Sequence, residues 1–527
     1  MEKGYLALIL HAHLPFVRHP EYDEFLEERW LFEALTETYI PLLNTFEGLI
    51  RDKVDFSLTI NISPSLCNMM SDELLKERYL RYLNKMIELC EREVERTRFQ
   101  DQFHKLALMY YYKFSKTKEK FTRQYNYDLI REFKDYQDKG NLEIITCAAT
   151  HGFLPLLAVN KEAIRAQIRA GINSYRKFFG TTPKGMWLPE CGYSEDMDRV
   201  LKEEGIRYFI LETHGILFSR PRPKFGVYSS YYTKNRVAVF GRDHESSKSV
   251  WSSIEGYPGD YNYREYYRDI GFDLEYDYIK PYISPTGVRI FTGIKYYKIT
   301  GPTPYKEPYL PEVARSKAAE HAGNFMFSRE KQIEHLYSIL GRNPIVIAPY
   351  DSELFGHWWL EGIDWLNFLI RKIRYDQKTI KLLTPSGYLK LYPKNQVISP
   401  SPSSWGWKGY YEVWLEGSND WIYPHLHRAV EAMISAVRRF SSNDSVKSRI
   451  LNQMARELLL AQSSDWAFMM KTGAFSEYAK KRTVMHLERF YLLKSLLERN
   501  FYNLEILEDI ERKDNIFPEI NYSIYQV

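Results

Sequence analysis

Short apolar runs alternate along most of the chain with longer segments of helical periodicity. Residues 5–10, 142–148, 208–211 and 344–349 are largely apolar, which is typical of strands buried on both faces of a parallel sheet. Residues 54–60 alternate apolar and polar positions and predict another strand. Because amphipathic helical segments follow several of these runs, the pattern predicts βαβ units.

The segment around position 190 shows this pattern most completely. The apolar run 185–189 ends in a carboxylate, Glu190. Ser194 is a suitable helix N-cap, Gly205 suits the position just past the helix end, and the apolar run 206–211 follows. Strand, loop, helix and strand predict a parallel pair. Glu190 then lies where a strand meets its loop, the edge at which barrels and open parallel sheets place their chemistry.

The surroundings of Glu190 favour a functional carboxylate over an exposed loop glutamate. Its neighbours are largely apolar: Trp187, Pro189, Cys191 and Tyr193. Such a site would raise the pKa of the carboxyl group. Other apolar runs end in polar residues in the same way, namely at His11 and His13, His151, Glu212 and His214, Asp243, and Asp351. The repeat predicts a β/α barrel whose strand ends line one pocket.

Three segments depart from the alternation. Residues 66–139 combine helical spacing with many charged residues, which predicts a helical insertion in a barrel domain spanning 1–395. A Ser- and Pro-rich boundary and a group of tryptophans introduce a helical C-terminal domain, 396–527. The Tyr-rich residues 219–271 offer a possible lid.

Composition narrows the function classes. The chain has 527 residues, 44% hydrophobic and 27% charged, which is typical of a globular protein long enough for two or three domains. Its 72 basic and 68 acidic side chains give a net charge of +4, too balanced to indicate nucleic acid. The four cysteines form no CxxC pair, and no run approaches 18 apolar residues. We expect no membrane partner and, without a recognisable signal peptide, a cytoplasmic location; the sequence does not indicate an oligomeric state.

Two strand-end carboxylates surrounded by histidines and tryptophans suit cleavage of glycosidic bonds. No glycine-rich phosphate loop and no GxSxG elbow occurs in the required context, which counts against nucleotide and esterase chemistry. Glycosidic cleavage needs one ionised carboxylate and one that stays protonated. Glu190 and Asp351 are the candidates, and the aromatic neighbours of Asp351 suit a neutral acid. His11 and His13 are two positions apart, so both can face one site as metal ligands or as hydrogen-bonding groups.

Five segments in this order resemble the motifs of glycoside hydrolase family 57. They are residues 11–15, 149–155, 187–192, 348–358 and 463–466. The resemblance implies an incomplete (β/α)7 barrel with a helical insertion and a helical C-terminal domain. It also implies a retaining enzyme acting on α-1,4-glucans, with Glu190 as nucleophile and Asp351 as acid/base.

Within that family the chain is most similar to the 1,4-α-glucan branching enzymes. Residues 403–414 resemble the tryptophan segment that lines their glucan groove. The resemblance implies an α-glucan partner such as amylose, starch or glycogen, no metal and no cofactor. It predicts these substrate-binding residues: His11, His13, His151, Trp358, Trp405, Trp414 and Asp465. Branching members carry a mobile loop with a tyrosine at its tip, for which Tyr228, Tyr231 and Tyr232 are the candidates here.

Three other interpretations remain open on the sequence alone. An α-amylase would use the same two carboxylates. A metal-dependent enzyme resembling the polysaccharide deacetylases would use His11, His13 and Asp243 as ligands. A non-catalytic glucan-binding protein would use the tryptophans alone. Chelation separates the second interpretation from the first, and mutation of the carboxylates separates the third.

Overall fold

The computed structural model describes residues 2–252, 254–284, 286–440, 444–500 and 502–526. One curled sheet organises the molecule. Its strands are β1 Gly4–Ala12, β2 Leu58–Ile62, β3 Leu142–Cys147, β4 Gly185–Trp187, β5 Tyr208–Leu211, β6 Tyr231–Tyr232, β7 Ala238–Gly241, β8 Ile345–Asp351 and β9 Ile380–Leu382. Their order is β6-β7-β5-β4-β3-β2-β1-β8, and β9 also pairs with β1.

Seven parallel strands of this sheet nearly close into a barrel: β1, β2, β3, β4, β5, β7 and β8. Strand β9 also pairs in parallel with β1, whereas β6 is antiparallel to β7. The backbone N–H of Asp243, just after β7, donates to the carbonyl of Ile347 in β8 at 2.9 Å. Because this contact joins the two ends of the seven-stranded sheet, the predicted incomplete (β/α)7 barrel is confirmed.

Strand register brings chemically useful residues to one level of the barrel. His11 at the end of β1 lies opposite Asn61 of β2 and opposite Asp351 of β8. Parallel strands all present their carboxyl ends at the same edge, so these three side chains meet there. The strands themselves are buried along nearly their whole length, which explains their continuous apolar character.

Helices surround the sheet and fill the long connections. In chain order they are α1 Glu28–Ala34, α2 Ile40–Arg51, α3 Pro64–Ser71, α4 Glu73–Arg96, α5 Asp101–Glu119, α6 Leu129–Asp138, α7 Leu154–Leu157, α8 Lys161–Phe179, α9 Met197–Glu203, α10 Thr213–Leu217, α11 His244–Trp251, α12 Ile270–Asp273, α13 Tyr276–Ile279, α14 Pro311–Leu340, α15 Gly362–Tyr375 and α16 Pro385–Leu391. Helices α3 to α6 lie between β2 and β3, where the sequence predicts helices. A π-helical turn, Leu35–Tyr39, joins α1 to α2.

The last part of the chain is helical and packs on the carboxyl edge of the barrel. Its helices are α17 Ile422–Phe440, α18 Ser445–Ala461, α19 Ser464–Thr472, α20 Ser476–Glu498 and α21 Leu504–Lys513. Backbone bridges join Ser403 to Tyr193 and Ser463 to Gly152. The predicted helical C-terminal region is confirmed, while the domain limits proposed from the sequence remain a prediction. Within the described residues, no helix combines the length and apolar character needed to cross a membrane.

Candidate active site

Glu190 lies on a strained turn directly after β4. Its backbone angles are φ 62° and ψ 21°, and Cys191 also has a positive φ of 52°. A side chain other than glycine costs on the order of 1–3 kcal/mol in this region, and such strain concentrates at functional sites. The turn is held because Cys191 N–H donates to the carbonyl of Leu188 at 2.9 Å and Trp405 N–H donates to the carbonyl of Glu190 at 3.0 Å.

His151 is held in the same way after β3. Its φ is 58°, again in the left-handed region. Its carbonyl accepts from the backbone N–H of Ser464 at 3.0 Å. The C-terminal part of the chain therefore supplies one backbone donor to each of the two strained residues. This arrangement fixes the directions of both side chains before any substrate binds.

Two side-chain donors hold the carboxyl group of Glu190. The indole Nε1 of Trp405 donates to Oε2 at 2.8 Å, and the Ser464 hydroxyl is 2.9 Å from Oε1. His151 Nδ1 is 3.7 Å from the same Oε1. Donors aimed at both oxygens stabilise the anionic form, which is the form that a nucleophile needs.

Burial and hydrogen bonding oppose each other at Glu190. Burial, assisted by the nearby Asp465, raises the pKa of Glu190 to about 7, although Trp405, Ser464 and His13 act in the opposite direction. The carboxyl group therefore titrates close to neutral pH. A group that changes charge near neutrality inside a pocket is typical of a catalytic site.

Asp351, at the end of β8, is the second carboxyl group of the site and is partly buried. Burial raises the pKa of Asp351 well above its usual value, Glu353 and Glu190 add to the effect, and Arg242 opposes it. Among the described residues no group forms a hydrogen bond with its Oδ1. Asp351 thus lacks the donors that Glu190 has, and its surroundings favour the protonated form that a general acid needs.

Glu353 is a third, partly buried carboxyl group, and sequence reasoning did not select it. Its Oε1 accepts a very short hydrogen bond from the hydroxyl of Tyr39, which ends the π-helical turn, and accepts from the backbone N–H of His13 at 3.3 Å. Burial raises the pKa of Glu353 to about 7 despite these donors. Its spacing of two from Asp351 was the available signal, because alternate positions of an extended chain share a face.

His11 and His151 are buried and contact each other. His11 Nδ1 is 2.6 Å from Asn61 Oδ1, and His11 Nε2 is 3.1 Å from His151 Nε2. His151 Nδ1 is 2.8 Å from the Ser464 hydroxyl. Both rings are buried, with His11 only 3% exposed. Both rings connect to Glu190 through the Ser464 hydroxyl, and their predicted role in substrate binding stays a prediction.

His13 lies nearer the opening of the pocket. Its Nδ1 is 2.9 Å from the Ser63 hydroxyl, and its Nε2 is 3.1 Å from Oδ2 of Asp465. Its ring stacks on His151 with centroids 3.9 Å apart and planes 12° apart. His13 and Asp465 both retain partial exposure, so their predicted role as ligands of sugar hydroxyls stays a prediction.

The cluster of His13, His151 and Asp465 does not have the geometry of a metal site, although its ligand atoms lie within 4.8 Å of one another. An imidazole binds a metal with a lone pair in the plane of its ring, at about 2.0–2.1 Å for zinc. Two nearly parallel rings stacked 3.9 Å apart direct those lone pairs along separate planes. One ion cannot satisfy both, so the cluster suits hydrogen bonding.

Asp243, the carboxylate in the metal-ligand hypothesis, is occupied elsewhere. Its Oδ2 caps α11 by accepting from the N–H of Ser246 at 2.8 Å and also pairs with Arg329 at 3.4 Å. Its Oδ1 accepts from Gln332 at 3.0 Å. Because both oxygens serve the packing of α11 against α14, Asp243 does not complete a site with His11 and His13.

Aromatic rings form the floor and one wall of the pocket. Trp187 stacks under His11, with centroids 4.9 Å apart, and lies 5.0 Å from Trp405. Trp251, at the end of α11, is 6.0 Å from Trp405. The predicted approach of Trp405 to the carboxylates is thus present in the structure, whereas sequence reasoning missed Trp251 because its segment was assigned only as a possible lid.

Trp414 and Trp358 have opposite environments. Trp414 is 1% exposed and stacks on Phe153 with centroids 4.4 Å apart. Its ring lies in the packing between the C-terminal region and the barrel, and its predicted place in the glucan groove stays a prediction. Trp358 is 52% exposed and stacks on Tyr266 at 4.5 Å. It presents one aromatic face to solvent beside the loop that follows Asp351.

Other strand-end residues support the pocket from outside. Glu212 accepts from Arg242 at 2.9 Å, and this pair lies beside β5 and β7. His214 Nε2 is 2.6 Å from the carbonyl of Gly409 and anchors the turn after Trp405. The expectation that every strand end lines one pocket is therefore too broad: some strand ends hold the tryptophan segment in place.

The tyrosine candidates for a mobile loop tip are packed into the fold. Tyr231 and Tyr232 form β6, and Tyr231 is fully buried. Tyr228 reaches Gln332, with its hydroxyl 3.4 Å from the amide nitrogen. None of the three stands at the tip of a loop over Glu190.

Comparison with known proteins agrees with the motifs and the fold. A family model described as glycosyl hydrolase family 57 matches residues 7–401, and one described as 1,4-alpha-glucan branching enzyme, C-terminal, matches residues 425–525. A 1,4-alpha-glucan branching enzyme of Thermococcus kodakarensis is 34% identical over 98% of this chain and 78% of that protein.

Solved structures extend the comparison to the whole molecule. The alpha-amylase AmyC of Thermotoga maritima superposes with a TM-score of 0.94 at 45% identity, covering 100% of this chain and 99% of that one. A family 57 branching enzyme of Pyrococcus horikoshii superposes with a TM-score of 0.89 at 34% identity, covering 99% and 97%. The expected resemblance and the expectation of an enzyme are confirmed: the chain belongs to glycosyl hydrolase family 57.

Proposed function

We propose that this protein is a retaining enzyme on α-1,4-glucans and acts mainly as a 1,4-α-glucan branching enzyme. One observation carries the proposal. Both side-chain donors to the carboxyl group of Glu190, Trp405 and Ser464, come from the C-terminal part of the chain. The matched branching-enzyme C-terminal model and the relative from Thermococcus kodakarensis support the same assignment.

In the first step Asp351 acts as the acid and Glu190 as the nucleophile. Protonated Asp351 gives its proton to the glycosidic oxygen as the bond from that oxygen to C1 breaks. The Glu190 carboxylate forms a bond to C1 and holds the donor segment covalently. The buried, donor-poor surroundings of Asp351 and the two donors on Glu190 support this division of roles.

In the second step the deprotonated Asp351 takes a proton from the 6-hydroxyl of an acceptor chain. The resulting oxygen attacks C1, Glu190 leaves as a carboxylate, and an α-1,6 branch results. Water can resolve the same intermediate, so the outcome depends on holding an acceptor in attack geometry, an effect that can contribute several kcal/mol. The exposed ring of Trp358, stacked on Tyr266, offers one surface on which a pyranose ring can stack.

Residues at the pocket opening are assigned to substrate binding. Asp465 and His13 pair with each other at 3.1 Å and keep partial exposure, which suits hydrogen bonds to vicinal hydroxyl groups. Trp405 presents an indole beside Glu190 while its Nε1 is engaged with the carboxylate. Trp358 extends the surface outward from Asp351.

An α-amylase is the second candidate, and two observations favour it. The match to AmyC reaches 45% identity over 100% of this chain. The three tyrosine candidates for a loop tip pack into the fold rather than over Glu190. A pocket without such a loop would admit water more readily, and water would then compete with the acceptor hydroxyl.

One incubation with amylose distinguishes the two candidates. Branching produces new α-1,6 anomeric signals by proton NMR and short chains after enzymatic debranching, with little rise in reducing ends. Amylase activity raises reducing ends without α-1,6 signals. A Glu190→Gln variant, purified identically, is the control for contaminating activity. Reducing ends alone would replace the branching assignment with the amylase assignment.

A further inference from the structure

A continuous line of hydrogen-bonding groups runs from the barrel interior to the nucleophile. Asn61 Oδ1 contacts His11 Nδ1 at 2.6 Å, and His11 Nε2 contacts His151 Nε2 at 3.1 Å. His151 Nδ1 contacts the Ser464 hydroxyl at 2.8 Å, which in turn contacts Glu190 Oε1 at 2.9 Å. Each of these four contacts needs one hydrogen between its two heavy atoms.

The inner end of the line fixes where the hydrogens lie. The amide nitrogen of Asn61 donates to the carbonyl of Ile145 at 3.1 Å, and a carbonyl can only accept. Asn61 Oδ1 therefore faces His11 as an acceptor, so His11 Nδ1 carries a hydrogen. A neutral His11 then has a bare Nε2, which requires that His151 donate from its own Nε2.

The outer end of the line is consequently one hydrogen short. A neutral His151 that donates from Nε2 has a bare Nδ1 and must accept from the hydroxyl of Ser464. Ser464 has a single hydroxyl hydrogen, so none remains for its contact with Glu190 Oε1. Two neutral histidines and one serine supply three hydrogens to four contacts, and the fourth can come only from the carboxyl group of Glu190.

We propose that Asn61, His11, His151 and Ser464 form a proton line that keeps a hydrogen on Glu190 and so sets the pH at which this residue becomes ionised. When Glu190 loses its hydrogen, the Ser464 hydroxyl can donate to Glu190 Oε1, but the contact between Ser464 and His151 Nδ1 is then left without a hydrogen. Burial keeps the pKa of His151 well below its usual value, so this ring does not supply the missing hydrogen. The inference rests on the proposed role of Glu190 as nucleophile.

Other titratable and charged side chains also face the line, and a substitution at Asn61 leaves all of them in place. Those that face Glu190 and the two histidines are His13 just after β1, Cys147 from β3, Cys191 beside Glu190, Asp351 from β8 with Arg242 behind it, and Asp465 from α19. No lysine or arginine is among the hydrogen-bond partners of Glu190 within the described part of the chain. Asn61 and His11 act through their neighbours and are positioning residues.

Replacement of Asn61 by leucine gives the sharpest test. Without the Asn61 acceptor, His11 can donate from Nε2, His151 from Nδ1 and Ser464 to Glu190, so three hydrogens satisfy the remaining three contacts. Glu190 can then ionise with both histidines neutral. We expect the acid limb of kcat/KM in Asn61→Leu to move down by about one pH unit, the size expected for one hydrogen bond.

Two further variants test whether that shift comes from the proton line. Ser464→Ala disconnects His151 from Glu190, so we expect the acid limb of the Ser464→Ala/Asn61→Leu double variant to match that of Ser464→Ala alone. Asn68→Leu also removes a buried asparagine, one that bonds Pro64 and Ser174 away from the line, and its acid limb should match that of the wild type. A limb that moves up in Asn61→Leu, or stays in place, overturns the proposal.

Infrared titration tests the line without any substrate. A protonated carboxyl group gives a characteristic infrared band, and the band that the wild type shows but Glu190→Gln lacks belongs to Glu190. As the pH is raised, we expect this band to disappear at a lower pH in Asn61→Leu than in the wild type. If the carboxyl band disappears at the same pH in both proteins, the proton line is overturned.

If Asn61→Leu does not fold, nitrogen NMR of the wild-type histidines replaces that test. A neutral His11 that carries its hydrogen on Nε2 contradicts the hydrogen count. A band that shifts as expected in a protein without glucan products overturns the proposed function and leaves the proton line intact.

Discussion

Two buried clusters in this molecule are built from the same residue types and behave oppositely. The catalytic cluster joins Glu190 to histidines at the barrel edge. The C-terminal cluster joins Glu457, His486 and Asp514, with His486 Nδ1 2.7 Å from Glu457. In the second cluster Arg489 forms a very short contact with Asp514, and Arg482 lies 3.7 Å from it.

Guanidinium groups make the difference between the two clusters. Burial alone would raise the pKa of Asp514, but His486, Arg482 and Arg489 outweigh it and lower the pKa to about 2. The pKa of Glu190, which has neutral donors only, is raised to about 7. Asp514 therefore keeps its charge near neutral pH, whereas Glu190 changes its charge there. A buried carboxylate without a cationic partner is the more informative sign of function.

The largest contrast should appear when one carboxyl group of each cluster becomes an amide. We expect Glu190→Gln to lose activity by on the order of 10⁴-fold, because the amide cannot form the covalent intermediate. Initial rates on amylose measure the loss. Thermal unfolding of the same preparation shows whether the variant is folded.

Glu457→Gln is the matched control for that experiment. Burial and the nearby Asp514 raise the pKa of Glu457 well above its usual value, which favours the neutral form that an amide resembles. We expect turnover on amylose to be retained. Near-normal turnover in Glu190→Gln would contradict the catalytic role of the first cluster. Loss of turnover in a folded Glu457→Gln variant would contradict the structural role of the second.

Asp351→Asn should separate substrates by their leaving groups. A natural glycosidic oxygen needs a proton as it departs, and general acid catalysis contributes about 10²- to 10⁴-fold. We expect a loss of that size on amylose and a much smaller one for the first step with an activated aryl maltoside. The comparison requires single-turnover release of the aryl group. Equal small losses on both substrates would show that Asp351 is not the acid.

Removal of an arginine that pairs with Asp514 should destabilise the C-terminal cluster and leave the catalytic cluster unchanged. Arg489→Met leaves the buried charge of Asp514 undercompensated, and we expect the free energy of unfolding to fall by about 3–5 kcal/mol. Because the pKa of Asp514 is depressed to about 2, its stabilising contribution is present above its unfolded value and is lost as the pH falls towards 2. The deficit of Arg489→Met should therefore shrink in acid.

Arg449→Met controls for the loss of any arginine. Arg449 forms a more exposed ion pair with Glu511 at 2.6 Å, and such pairs contribute roughly 0–1 kcal/mol. Denaturant unfolding at several pH values measures both variants. If Arg489→Met and Arg449→Met lower the free energy of unfolding equally at neutral pH, the buried charge of Asp514 does not depend on Arg489 in particular.

The smallest effect should come from the Trp405 indole hydrogen bond. The bond from Nε1 to Glu190 favours the anion, so Trp405→Phe should move the acid limb of kcat/KM up by about one pH unit. Trp414→Phe is the control, because that ring is buried against Phe153 and away from Glu190. A shift of the limb in Trp414→Phe but not in Trp405→Phe would reverse the assignment of these tryptophans.

Much of the barrel could be predicted from the sequence because its strands are buried on both faces and read as apolar runs. The two main carboxyl groups also stood out, since each ends such a run. The partners of those groups could not be predicted: Asn61 meets His11 through strand register, and Ser464 meets Glu190 across 274 positions. The burial of Trp414 could not be predicted either, because the sequence does not show which tryptophan ring is covered by packing.

The backbone donors that reach Glu190 and His151 from the C-terminal region also impose an order in time. The ribosome adds Ser464 274 residues after Glu190, which at about 5–20 residues per second takes roughly 14 to 55 s. Throughout that interval the nascent barrel carries its nucleophile without the Ser464 hydroxyl and without the N–H that secures His151. Translation therefore delivers the complete set of donors to Glu190 only after Ser464 has been added to the chain.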